Sequence, residues 1–284
     1  MAPRPPRPPA TPERETMRSR KLYNGPMLAN PHVSLFITCL ADVFAPQVGR
    51  ATVRVLEHFG CTVDFPAAQT CCGQPQYNNG FHAQAADLAR RLIVVFEKSP
   101  AVVIPSASCC AMIREHYPVL FKDDPAWRTR AEALAAKSYE LVEFLTKVLK
   151  VDLSGLALPH ETTVAMHYSC HNRMLGQRPQ AATDLVQTLG HVQLKPLEST
   201  EQCCGFGGTF AVRFPEVSGT MARDKAACIA RTGADVLLVN DTGCAMNIAG
   251  TCRRGGAKVQ VRHIAELIEQ AIDHSAKRPA GGTR

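Results

Sequence analysis

A chain of 284 residues that is 45% hydrophobic and 6% aromatic carries enough apolar material for one large core or two modest ones, which excludes a disordered chain. No run approaches the ~18 consecutive apolar residues of a spanning helix, and the first thirty residues lack a secretory apolar block, so the expectation is a cytoplasmic protein without a membrane span. The formal charge of +7 resides in the ends: residues 1–30 and 275–284 carry it all, residues 31–274 sum to zero, and a basic nucleic-acid-binding body is excluded.

Residues 1–30, with Pro3, Pro5, Pro6, Pro8, Pro9 and Pro12, read as a disordered Pro/Arg-rich tail, and Met17 and Met27 stand as alternative starts. From there the periodicity predicts an alternation of strands and helices. Strand Val33–Thr38 leads to Cys39, and a helix over about 47–59 follows. Strand Cys61–Pro66 runs into Cys71, Cys72 and Gly73; a helix over about 82–97 precedes strand Ala101–Pro105, which ends at Ser108, Cys109 and Cys110. Helical segments fill about 111–150.

The second half repeats the order. Strand Thr163–Tyr168 ends at Cys170, and a helix over about 181–189 follows. Strand Val192–Leu197 leads to Cys203, Cys204 and Gly205, and a helix over about 215–231 precedes strand Asp235–Asn240 and Cys244. A period above a hundred residues in two copies predicts an α/β fold of two tandem duplicated cysteine-rich domains, 31–155 and 156–274, with mostly parallel sheets and a disordered tail at 275–284.

In an open α/β sheet ligands bind beyond the carboxyl ends of the strands, and three successive strand ends bring a single, a paired and another single cysteine to one edge. Cys39, Cys71, Cys72 and Cys109 are therefore the candidate ligands of one centre, and Cys170, Cys203, Cys204 and Cys244 of a second. Cys61, Cys110, Cys228 and Cys252 scatter and read as buried thiols. Four thiolates suit zinc or an iron-sulfur cluster. Adjacent cysteines, whose side chains diverge, favour the cluster. Gly73, Gly205, Gly207 and Gly208 let backbone pass close to it and aim N–H groups at its sulfides.

These residues carry a resemblance. The order Cys, Cys-Cys-Gly, Cys, twice over, resembles the cysteine-rich (CCG) domain of heterodisulfide reductase and its relatives. Ser169–Gly176, Gln202–Phe210 and Asp241–Ile248 are similar to the second-domain signatures of the branch called lactate utilisation protein A, and the match covers about residues 31–270. The resemblance implies an iron-sulfur electron-transfer subunit, with a [4Fe-4S] cluster, in a complex that oxidises L-lactate to pyruvate. It also implies two partners, a ferredoxin-containing iron-sulfur subunit and a third small subunit. Zinc in one of the two sites stays open, as do a glycolate oxidase or heterodisulfide-reductase-like role and a zinc-bound structural or docking role. The full pattern ends each repeat in Cys-x-x-Cys, whereas Met112 and Asn247 stand here, which puts a non-cubane cluster pair in doubt. His171 and Arg173, directly after Cys170, are candidates to orient a carboxylate or to support a ligand sulfur. His167 reads as core, and Arg223 and Lys225 as a solvated helix face.

Overall fold

A computed structural model describes residues 31–277; residues 1–30 and 278–284, where tails are predicted, lie outside the described residues. The first half holds strands β1 (His32–Leu35), β2 (Thr62–Asp64), β3 (Val102–Ile104) and β4 (Ser138–Glu140). In the second half lie β5 (Ala157–Met166), β6 (Gly190–Leu194), β7 (Val236–Val239) and β8 (Gln260–His263). Every pairing is parallel, and the two sheets run β2-β1-β3-β4 and β6-β5-β7-β8. The duplication predicted from the cysteine spacing is thus a duplication of the whole sheet.

Two strands escape the sequence pattern. β4 interrupts the helical segments predicted over about 111–150, and β8 precedes a last helix, Ile264–Ala276, that reaches past residue 274. Three residues, Ser138-Tyr139-Glu140, are too short to register an alternating period, and β4 is defined by its pairing to β3.

The helices explain how the halves join. Helix Pro46–His58 starts on a proline and buries Val48, Ala51, Thr52, Val55 and Leu56, a stripe at helical spacing that faces helix Ile264–Ala276 of the other half. Arg54 pairs across that contact with Glu269 at 3.3 Å and with Asp273 at 2.5 Å. The mirrored contact sets Gln180–Val186 of the second half on Leu141–Glu143 of the first. In each case the helix after the first strand of one half meets the helix after the fourth strand of the other, so the halves are related by a pseudo-two-fold axis. One continuous core, from Val33, Val55 and Leu145 to Val164, Leu185 and Leu267, fills the space between the sheets. On its far face each sheet has its own smaller core, and these contain Cys72 and Cys109 in one half and Cys204 and Cys244 in the other.

The axis passes between equivalent residues. Ser106 and Asp241, each three positions before the fourth cysteine of its set, meet through Ser106 Oγ donating to Asp241 Oδ2 at 3.1 Å. Ser108 N donates to the same oxygen at 3.0 Å. Glu140 at the end of β4 accepts from Asn240 Nδ2, and His263 at the end of β8 reaches the Pro105 carbonyl, which is the matching contact. The carboxyl ends of the two sheets therefore face one another.

Candidate metal centres

The strand order reverses between β1 and β3, and again between β5 and β7, which opens a crevice at the carboxyl ends of those strands. Cys39 is the first residue of helix Cys39–Phe44 after β1, and Cys109 lies in helix Ala107–Ala111 after β3. Cys170 and Cys244 take the same places in helices Cys170–Met174 and Thr242–Arg254. The cysteine pairs arrive on the loops after β2 and β6.

All eight predicted cysteines reach these two crevices. In the first, Cys39 Sγ lies 3.7 Å from Cys71 Sγ, and Cys72 Sγ lies 3.4 Å from Cys109 Sγ. In the second, Cys204 Sγ is 3.2 Å from Cys244 Sγ, and the Cys203 thiol interacts with those of Cys170 and Cys204. Hydrogen bonds from Cys39 and Cys72 pull the Cys71 thiol down to about 3, and those from Cys170 and Cys204 pull Cys203 down in the same way. The backbone N–H groups of Gly73 and Gly205, at 3.5 and 3.4 Å from these sulfurs, act in the same direction. Each centre therefore keeps one sulfur ready as thiolate, the ligating form. Cys61, Cys110, Cys228 and Cys252 are buried, as the sequence predicts.

The glycines differ in what they do. Gly205 has φ +82°, and a Cβ there would lie 2.6 Å from the Ser218 carbonyl, so only glycine lets helix Pro215–Thr232 press against the cysteine pair. Gly73 holds φ +81° beside the Ala85 carbonyl in the same relation to helix His82–Phe96. Gly207 and Gly208 also have positive φ and form the turn into helix Thr209–Arg213.

Met112 and Asn247 replace the last cysteine of each full pattern with contacts of their own. Met112 is fully buried in the first outer core, and Asn247 Nδ2 donates to the Cys204 carbonyl at 2.8 Å. Tyr117 Oη makes the matching bond, to the Cys72 carbonyl, at 2.8 Å. The carbonyl of the second cysteine of each pair is thus pinned by a side chain from the following helix.

His171 joins the centres. Gln74 Nε2 donates to the Ser108 carbonyl and to His171 Nε2 at 3.2 Å each, which leaves the His171 proton on Nδ1, 3.6 Å from Cys170 Sγ. Gln74 follows Gly73, so one side chain bridges the cysteine loop of the first half to the first ligand helix of the second. Asn79 Nδ2 makes a second bridge, to Thr209 Oγ1, at 2.6 Å. Arg173 turns outward to Glu201 at 3.5 Å.

One side chain in the second half departs from expectation, and another meets it with an unforeseen neighbour. Lys225, read as part of a solvated face, is fully buried, and its ammonium donates to the Ser199 and Thr200 carbonyls at 2.9 and 3.0 Å. Burial lowers it to about 8, against the pull of the sulfurs of Cys228, Cys204, Cys244 and Cys203. Its place in the stripe Ala222, Lys225, Cys228, Ile229, all buried, is the signal that reading missed. Arg223 remains exposed. His167 is buried as predicted, but it faces thiols: its ring and the sulfurs of Cys204 and Cys244 lie within 4.8 Å of one another. Burial, and then the Lys225 charge, lower its imidazole to about 3, so it is neutral.

Comparison with known proteins agrees with this geometry. The cysteine-rich domain family model matches twice, at residues 33–114 and 164–249. Lactate utilization protein A of Shouchella clausii is 47% identical over 237 residues, covering 84% of this chain and 98% of its own. This chain belongs to the lactate utilization protein A family. The relative from Halalkalibacterium halodurans is 48% identical over 83% of this chain and 96% of its own, and that from Bacillus subtilis 47% over 83% and 98%. Among solved structures, a hypothetical protein from Helicobacter pylori superposes with TM-score 0.58 at 12% identity, covering 92% of this chain and 53% of that one, a likeness of fold alone. Among the described residues no helix is long and apolar enough to cross a membrane.

Proposed function

We propose that this chain is the iron-sulfur electron-transfer subunit of a cytoplasmic complex that oxidises L-lactate to pyruvate, with Cys39, Cys71, Cys72 and Cys109 holding one centre and Cys170, Cys203, Cys204 and Cys244 the other. The observation that carries this reading is the convergence of two equivalent four-cysteine sets on facing sheet edges, in a family named for lactate utilization. The donor chemistry fits: four soft sulfurs per set, a thiolate already favoured at Cys71 and Cys203, and glycine N–H groups aimed at sulfur. A [4Fe-4S] cluster held by these cysteines would supply one-electron storage and release. The chain's own residues fix the ligand loops through Gly205, Tyr117 and Asn247, exclude water from the buried sulfurs Cys72, Cys204 and Cys244, and link the sets through Gln74 and His171. The partners this reading implies are a ferredoxin-containing subunit, which would exchange electrons with such a cluster, and a third small subunit.

A second reading has its own support. Sulfur separations of 3.2–3.7 Å approach the ~3.8 Å edge of a zinc tetrahedron with bonds of ~2.3 Å, so zinc in one centre, with a structural or docking role, is the competing assignment. Anaerobic purification followed by iron, sulfide and zinc analysis, and EPR of the reduced protein, separates the two. The expected result is iron with equimolar sulfide. Cys203→Ser combined with Cys204→Ser removes the second centre's share and leaves the first intact. Zinc at one ion per cysteine set, with no sulfide, refutes the redox assignment.

A further inference from the structure

The two centres have the same sulfur positions but different inner walls. His167 stands three residues before Cys170, and the equivalent place before Cys39 is Phe36, which is buried and packs edge-on against Phe96 with ring centroids 5.7 Å apart. The helices behind the cysteine pairs align through their glycine contacts, Gly73 meeting Ala85 and Leu88 where Gly205 meets Ser218 and Met221. Four residues further on, Lys225 falls where the first half has Leu92, and both are fully buried. A hydrocarbon wall in one copy is therefore an imidazole and an ammonium in the other.

The imidazole has nothing else to do. His167 is 1% exposed, and neither ring nitrogen has a hydrogen-bond partner among the described residues. Leaving such a group unsatisfied costs about 1–3 kcal/mol, so a buried histidine in this state calls for an acceptor or a Lewis acid. His171, the other histidine of this centre, uses both nitrogens, one toward Cys170 Sγ and one toward Gln74. Only His167 has a lone pair to give, and a ring nitrogen lies with Cys204 Sγ and Cys244 Sγ inside a 4.8 Å span, near enough for the three to converge on one ion.

We propose that His167 is a nitrogen ligand of the metal held in the second centre, which makes that centre a mixed cysteine–histidine site while the first is all sulfur. This rests on reading the cysteine sets as metal centres. A neutral imidazole adds a donor without adding negative charge to the second centre, and the buried Lys225 ammonium offsets part of its thiolate charge. The second centre is accordingly the less anionic of the two, and the two take up metal with different preference.

The test needs no knowledge of the native metal. Metal-free full-length chain carrying [15N]histidine is titrated with 113Cd2+ alone and followed by 113Cd NMR. Two resonances are expected, one in the all-sulfur range and one shifted upfield and split by coupling to 15N. In His167→Phe, which copies the first centre, the splitting disappears; in His171→Gln it persists. Two unsplit all-sulfur resonances in the wild-type chain overturn the proposal, as does loss of the splitting in His171→Gln. Cadmium bound at the first centre only overturns it as well. Because the wild-type and His171→Gln spectra together assign the splitting, a His167→Phe chain that fails to fold leaves the test intact. Iron and sulfide analysis judges the redox assignment separately, so either claim can fail alone.

Discussion

Glu140 is the place where folding and acidity meet most directly in this protein. Its carboxylate is fully buried on the pseudo-two-fold contact, where Oε2 accepts from Glu143 N at 3.2 Å and Gln177 Nε2 at 3.1 Å, and Oε1 accepts from Asn240 Nδ2 at 3.3 Å. Burial raises its pKa from 4.5 to about 7, although those three hydrogen bonds pull the other way. Because the folded value lies above the unfolded one, folding takes up a proton here. Stability is highest below pH ~4.5, falls as pH rises toward ~7, and levels off above that. At about 1.4 kcal/mol per pH unit, the loss attributable to this one group is about 3 kcal/mol. Urea unfolding of metal-free protein at pH 5 and pH 8, for the wild type and for Glu140→Gln, isolates it, since the glutamine does not titrate and keeps an acceptor for the network. The difference between the two proteins should shrink or reverse in the glutamine's favour by about 2–3 kcal/mol on going to pH 8. Parallel stability curves for the two proteins across that range would refute the assignment of a neutral Glu140 at low pH. Glu140→Ala, which leaves three buried donors facing a cavity, should cost roughly 3–5 kcal/mol at pH 5.

Further outcomes follow from other contacts. Lys225→Met keeps the volume but removes the buried ammonium, and should lower the potential of the second centre by on the order of 50 mV in an EPR-monitored titration, with the first centre unmoved. Gly205→Ala forces a Cβ to 2.6 Å from the Ser218 carbonyl at positive φ, and should cost roughly 2–4 kcal/mol in chemical denaturation. Gly208→Ala, with open space around it but a backbone at φ +62° and ψ −115° that L side chains rarely adopt, should cost about 1–3 kcal/mol by the same measurement. Tyr117→Phe strands the Cys72 carbonyl, and should cost about 1–2 kcal/mol and speed cluster loss from the first centre alone, read by absorbance decay in a chelator.

The linear pattern already carried much of this. The repeated order of cysteines fixed the duplication, because a strand end is where an α/β sheet gathers ligands, and the eight sulfurs meet in the two crevices that this rule demands. The four remaining cysteines were legible too, since they stand outside the repeated order, and each is buried as a small apolar group.

What the sequence could not decide depends on neighbours far away along the chain. β4 and β8 exist through pairing to β3 and β7, not through any alternation of their own three or four residues. His167 and Lys225 sit at positions whose period says core, and whether a polar side chain there is a fault or a device depends on what lies opposite it. Folding answers that by bringing Cys204 and Cys244 to His167, and the sulfurs of the second centre toward Lys225. The fusion of the halves through one shared core is equally a tertiary fact: helix Pro46–His58 shows an apolar stripe in the sequence, but only the closed chain determines that Ile264–Ala276, more than two hundred residues on, is what covers it. Local residue order sets which atoms can serve as ligands, and long-range packing sets which of them share a site.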